Sequence, residues 1–263
     1  MDLKLHDKTA FISGSTKGIG YAIAELLAGE GARVIVNGRT EPAVADAIAR
    51  IRARHPRATL DGYAGDLATA AAAAGLARHL PSVDILVNNL GIFDRKVFEE
   101  IDDAEWQRFF DINVMSGVRL SRTYLAGMKQ RGWGRIVFIS SESGIQIPDN
   151  MIHYGMTKTA QLAISRGLAE TCVGTGVTVN AVLPGPTLSE GNKAAIARRS
   201  QGKPFPEFEK EFFEKVRPSS LLKRYATPDE VATMVAYVVS PLASATNGAA
   251  LRVDGGVVRA CFG

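Results

Sequence analysis

The chain has 263 residues, of which 46% are hydrophobic and 22% charged, an average globular composition with enough length for one large α/β core. No apolar run nears the roughly 18 residues of a membrane span, and two cysteines make neither a disulfide framework nor a metal-ligand spacing. The net charge of +4 is concentrated nowhere except in RIRARHPR at 50–57, which reads as the solvated end of a helix, so nucleic acid, membrane and metal are not expected partners and a reducing cytoplasm is the expected compartment.

The N-terminal stretch MDLKLHDKTAFISGS has no signal-peptide pattern and runs straight into a strand at 9–13. Glycines follow, and then Ile19, Ala22, Ile23, Leu26 and Leu27 fall on one helical face until Gly29 and Gly31 end it. Strands are predicted at 33–37, 60–64, 83–88, 135–140, 177–182 and 249–253. Helices are predicted near 41–54, 68–79, 103–130, 155–173 and 228–239. The last has a clear start, with Thr227 as cap, Pro228 in the first turn and Glu230 three residues after the cap. Alternating strands and helices predict a doubly wound parallel sheet of about seven strands, Rossmann-like, with helices on both faces. One domain spans 1–263, with 187–220 as an insertion.

Between the first strand and helix lies SGSTKGIG at 13–20, with Gly14, Gly18 and Gly20 spaced for a tight turn and close backbone approach to a pyrophosphate. The helix N-terminus would face that anion with free N–H groups. At the end of the second strand, VNGRT at 36–40 has Gly38 and Arg39 where an acid would hold the ribose of NAD. Lys17 in the turn and Arg39 instead suit a 2′-phosphate, which favours NADP(H) over NAD(H).

HYGMTKT at 153–159 sets Tyr154 and Lys158 four apart, on one helical face. A nearby ammonium is expected to lower the phenol's pKa, so that it serves as acid or base near neutrality. Ala160, Ala163, Ile164, Gly167 and Leu168 form a separate apolar stripe for the core. Ser140, Ser141 and Ser143 each offer a second hydroxyl, and their spacing alone does not rank them.

Taken together, SGSTKGIG, GDL (65–67), NNLG (88–91), DINV (111–114), ISSESG (139–144), YGMTK (154–158) and LPGPTLS (183–189) resemble the motifs of the short-chain dehydrogenases/reductases, in order and over nearly the whole chain. One position departs: Leu90 stands where alanine is usual. The resemblance implies a cofactor site of Gly14, Ser15, Thr16, Lys17, Gly18, Ile19, Gly20, Arg39, Asp66, Leu67, Asn89, Gly91, Tyr154, Lys158, Pro184, Gly185, Thr187 and Ser189. It implies Asn113, Ser141, Tyr154 and Lys158 as the catalytic set. In that family the helix asparagine distorts its helix and joins the lysine through a water. The expected activity is NADP(H)-dependent interconversion of a small-molecule carbonyl and alcohol. An NAD(H)-dependent sugar or polyol dehydrogenase, a 3-oxoacyl-carrier-protein reductase, and a non-catalytic dinucleotide sensor are the alternatives. Family members suggest a homo-oligomer, a tetramer built on the helix at 103–130 and the helix carrying Tyr154.

Residues 187–220 break the alternation. They hold Phe205, Phe208, Phe212 and Phe213, partly at helical spacing, and are expected to close over the site as a lid. Lys203, Glu207, Glu209, Lys210, Glu211 and Lys215 are expected to stay in water.

Overall fold

In the computed structural model, which describes residues 2–261, seven strands form one sheet: β1 (Thr9–Ile12), β2 (Arg33–Gly38), β3 (Leu60–Ala64), β4 (Ile85–Asn88), β5 (Gly134–Ile139), β6 (Val177–Pro184) and β7 (Ala250–Val253). Every pairing is parallel and the order is β3-β2-β1-β4-β5-β6-β7. Strands β4, β5 and β6 are buried at every position, as a parallel sheet covered on both faces requires.

Alternation along the strands splits the core in two. Ile12, Val34, Val36, Val87 and Val137 point to one face, where they meet Ile23 and Leu27 of α1 (Gly18–Gly29), Val44 and Ile51 of α2 (Glu41–Arg54), and Val231 and Val235. Phe11, Ile35, Leu86 and Phe138 point to the other, against Leu76 of α3 (Ala70–His79) and Leu120, Tyr124 and Met128. The chain runs β1, β2, β3 outward and then returns to lay β4 on the far side of β1. That reversal leaves a crevice at the carboxyl ends of β1 and β4, where ligands of such sheets bind.

The helix predicted at 103–130 is interrupted. It runs as α4 (Asp103–Phe110), a π-turn at Asp111–Met115, and α5 (Ser116–Arg131), so the distortion expected at Asn113 is present. Helix α6 (Ile152–Glu170) starts earlier than predicted and puts Tyr154 in its first turn. Its supposed core stripe is displaced: Ala163 and Gly167 face solvent, and Ile164 and Leu168 reach only the rim of the core. The inward face carries Gln161, Ser165 and Ala169 instead, of which Ala169 joins the core and Gln161 meets Lys158 and Asn113.

Residues 187–220 fold as α7 (Glu190–Arg199) and α8 (Phe205–Lys215). Phe212, Phe213, Ile196 and Tyr225 make a small core of their own, with Leu188 and Phe208 beside it. Glu209, expected in water, accepts a hydrogen bond from the Tyr225 backbone at 2.9 Å and ties α8 to the chain beyond it. Helix α9 (Pro228–Val239) opens on the predicted capping box of Thr227 and Glu230. Among the described residues no helix is long and apolar enough to cross a membrane, and no group of side chains has metal-ligand spacing.

Candidate active site

A cleft of about 1240 Å³ follows the carboxyl ends of the strands. Every residue expected at the site lines it except Ser15 and Asn113. Ser15 is fully buried: its hydroxyl donates to Ile12 O at 2.7 Å and accepts from Asn37 N at 2.9 Å. Its hydroxyl braces the turn from within the chain.

At one end the glycine turn opens α1. Gly14 and Gly18 have φ of 63° and 62°, values that glycine adopts without penalty. A Cβ on Gly20 would lie 2.4 Å from Asn89 Nδ2 and 2.5 Å from Gly14 O. Asn89 spends that amide on Ser13 O and Gly14 O, at 2.9 and 3.0 Å, so it holds the turn in shape. The Glu190 carboxylate accepts from Gly18 N at 2.6 Å. An anionic oxygen thus already sits on the N-terminus of α1, and the donor set fits a pyrophosphate. The ribose end is lined by Gly38, Arg39, Thr40 and Arg50. Asn37 at the end of β2 is tied into the turn, since it accepts from Gly14 N and donates to Tyr63 O and Gly65 O. Arg50, assigned from sequence to a solvated helix end, lines the cleft, donates to Thr16 O at 2.7 Å and pairs with Asp46 at 3.0 Å.

At the other end, β5 delivers Ser141 and α6 delivers Tyr154 and Lys158. Lys158 is buried, donates to Ile139 O at 2.9 Å and Gln161 Oε1 at 3.2 Å, and lies 5.6 Å from the centre of the Tyr154 ring. Burial pulls its ammonium down to about 7. The Tyr154 phenol is raised, chiefly by loss of water around it, and a hydrogen bond with Ser141 opposes that rise. The expected lowering by the Lys158 charge is therefore not what governs the pair; desolvation is, and it acts on both. Of the three serines, Ser140 donates to Lys158 O and Ser143 donates to Glu142, while Ser141, which also donates to Glu142, is the one whose hydroxyl acts on the tyrosine.

Asn113 lies behind this group. Its side chain accepts from Ile92 N at 2.7 Å and donates to Ile92 O and Thr157 Oγ1 at 2.9 and 3.0 Å. The π-turn frees its carbonyl, which accepts from Gln161 Nε2 at 2.6 Å. Gln161 thus spans Lys158 and Asn113 directly. Sequence reasoning missed Gln161, and it missed Glu142, whose carboxylate accepts from Ser141 Oγ at 2.5 Å and pairs with Arg217 at 3.1 Å. A glutamate directly after a candidate serine was the available signal.

The family model described as enoyl-(acyl-carrier-protein) reductase matches residues 14–258. The oxidoreductase YvaG of Bacillus subtilis (strain 168) is 49% identical over 264 aligned residues, covering 100% of both chains. D-beta-hydroxybutyrate dehydrogenase of Cupriavidus necator is 34% identical, covering 97% of this chain and 99% of its own. The crystal structure of L-sorbose reductase from Gluconobacter frateurii, complexed with NADPH and L-sorbose, superposes with a TM-score of 0.90 at 29% identity, over 99% of this chain and 100% of that one. With a seven-stranded parallel sheet, a glycine turn opening α1 and a serine, tyrosine and lysine in one cleft, the chain belongs to the short-chain dehydrogenase/reductase family and is an oxidoreductase of alcohols and ketones.

Proposed function

We propose that this protein is an NADP(H)-dependent oxidoreductase that interconverts a carbonyl and a secondary alcohol, with Tyr154 as general acid and base. The observation that carries the reading is the meeting of Ser141, Tyr154 and Lys158 in the same cleft as the glycine turn. When bound, the nicotinamide supplies or takes the hydride. Tyr154 is protonated at neutral pH, as a phenol raised by burial must be, so it is in the form that can donate to a carbonyl oxygen. Ser141 offers a second donor to the same oxygen when its hydroxyl, which donates to Glu142 at 2.5 Å, turns toward it. Lys158, fixed by Ile139 O and Gln161, places its ammonium behind the tyrosine.

Arg39 and Lys17 in the cleft, and the absence of an acid at the end of β2, support NADP(H) over NAD(H). NADPH in the sorbose reductase crystal is consistent with this. Relatives that include a hydroxybutyrate dehydrogenase and a 3-oxoacyl-carrier-protein reductase keep the alternative substrates in view. The residues at 187–220 act as a lid, and their separate small core supports a unit that moves as one; hydrogen exchange over 190–215 that drops on adding NADPH and substrate is the expected sign. The active form is a homo-oligomer, supported by the exposed small residues Ala163 and Gly167 on α6.

Tyr154→Phe tests the central claim. Reduction of a carbonyl substrate should fall by about 10²- to 10⁴-fold while NADPH still binds. A loss under about tenfold would remove Tyr154 from the role. For the cofactor, kcat/KM should favour NADPH in the wild type and shift toward NADH in Arg39→Asp; a wild type that prefers NADH refutes the assignment.

A further inference from the structure

The lid end of the cleft is rich in guanidinium. Arg95, Arg198, Arg199 and Arg217 line it, alongside Tyr225, Phe212 and the reacting Ser141 and Tyr154. Only two carboxylates line the same end, those of Asp94 and Glu142. Glu142 is spent on Arg217 at 3.1 Å. Asp94 is exposed and takes the backbone N–H of Arg95 at 2.8 Å. Among the described residues no carboxylate comes within ion-pair distance of Arg95 or Arg199. These two groups lie near each other and near Arg217, and burial with that mutual repulsion pulls Arg95 below its ordinary value.

Two polar atoms stand out beside them. Tyr225 is 4% exposed and its hydroxyl lies beside the Arg199 guanidinium without a hydrogen bond of normal geometry, and Arg199 Nε likewise has no partner. A buried phenol and a buried guanidinium N–H both left unmatched are costly unless a ligand meets them. The Tyr225 hydroxyl is pushed up to about 12 by burial, against the pull of Arg199 and Arg95, so it is a donor at neutral pH. All of these unmatched groups donate. What they lack is an acceptor with negative charge, and a planar one with two oxygens suits a guanidinium fork.

We propose that Arg95, Arg199 and Tyr225 form a carboxylate-binding subsite, so that the substrate is an oxo acid or hydroxy acid whose carboxylate is held here while its carbonyl or alcohol meets Tyr154 and Ser141. The substrate class rests on the oxidoreductase reading above; the anion site does not. Phe212 in the same wall calls for a short apolar link between the two ends of the substrate. Arg217, already neutralised by Glu142, is linked through that carboxylate to Ser141.

The test is isothermal titration, in saturating NADP⁺, of butyrate and benzoate against their uncharged isosteres butyramide and benzamide, on the wild type and on the double variant Arg95→Gln/Arg199→Gln. Inorganic phosphate serves as a second anion. The wild type should bind at least one carboxylate tenfold or more tighter than its amide. The double variant should lose that preference while its NADPH affinity stays within about twofold. Equal binding of acid and amide by the wild type overturns the proposal, as does a preference that survives in the double variant. Phosphate binding tighter than both carboxylates would overturn the carboxylate assignment. Initial rates with 3-oxobutanoate and 4-oxopentanoate against their methyl esters provide the separate readout for catalysis. Acids should be preferred tenfold in the wild type. If carboxylates bind as expected but no carbonyl compound turns over, the oxidoreductase reading of the substrate fails and the subsite stands; if esters turn over as well as acids, the subsite fails and the catalytic reading stands.

Discussion

Lys158 illustrates how burial sets chemistry at a single residue. In the folded chain its ammonium titrates at about 7, whereas the ordinary value is 10.5. Between those limits the unfolded chain binds more protons, so stability should rise with pH. Below about 7 both states are charged and the folded state bears the full burial cost. Above pH 10 the raised Tyr154 reverses the slope, since the unfolded phenol ionises first. Urea unfolding of the wild type should therefore show stability increasing from pH 7 to 10, and Lys158→Met should be more stable at pH 7 and flatter across that window; parallel curves would contradict it. Gln161 belongs to the same set. Gln161→Leu removes an acceptor from the ammonium and should move the Lys158-dependent limb of the kcat/KM pH profile down by roughly one unit, while Gln161→Glu should move it up. Tyr154 and Lys158 were legible in the sequence because their spacing and chemistry are both distinctive. Gln161 and Glu142 were not, since a glutamine on a helix and a glutamate after a serine have ordinary uses. Arg217 lies 75 residues from its partner Glu142, a contact that only the fold creates.

Among the elements, the glycine turn and the π-turn carry the site. Gly20→Ala would drive a Cβ into Asn89 and Gly14, at 2.4 and 2.5 Å. The turn is backbone on one side and a bonded amide on the other, so neither yields cheaply. A loss of about 1–3 kcal/mol is expected in denaturant unfolding, with loss of NADPH binding in a fluorescence titration. Retained cofactor affinity in a folded Gly20→Ala protein would show that the turn does not approach the ligand. The strands were readable to within two or so residues because most are apolar runs bounded by turn residues, β3 with its Asp61 and Gly62 being the exception. The π-turn was foreseen only through the family resemblance, as no periodicity marks it. Helix α7 escaped notice because Ile196 is its one apolar side chain known to be buried, so its sequence has almost no amphipathic face. The α6 stripe was misjudged because an apolar period says that a face is covered without saying by what.

At the scale of the molecule, that outward face bears on assembly. Ala163 and Gly167 are exposed small residues, and a Cβ on Gly167 would meet nothing within 4 Å. Such a surface allows another helix to approach closely. Light scattering at micromolar concentration should give the mass of a tetramer, and Ala163→Arg should reduce it; a wild-type monomer would refute the assembly. Helix α7 has a different reach. Its ten residues span about 15 Å. Glu190 at its start holds Gly18 N on the phosphate turn, and Arg199 at its end stands in the guanidinium cluster. A pyrophosphate on Gly18 must displace the Glu190 carboxylate, and the rod that carries it also carries Arg199. The two ligands are then joined by a coupling free energy, and such coupling is reciprocal. The factor by which NADP⁺ changes the affinity for a carboxylate must equal the factor by which the carboxylate changes the affinity for NADP⁺. Glu190→Gln should bring that factor toward one, because it loosens the rod at the end where the first ligand pushes.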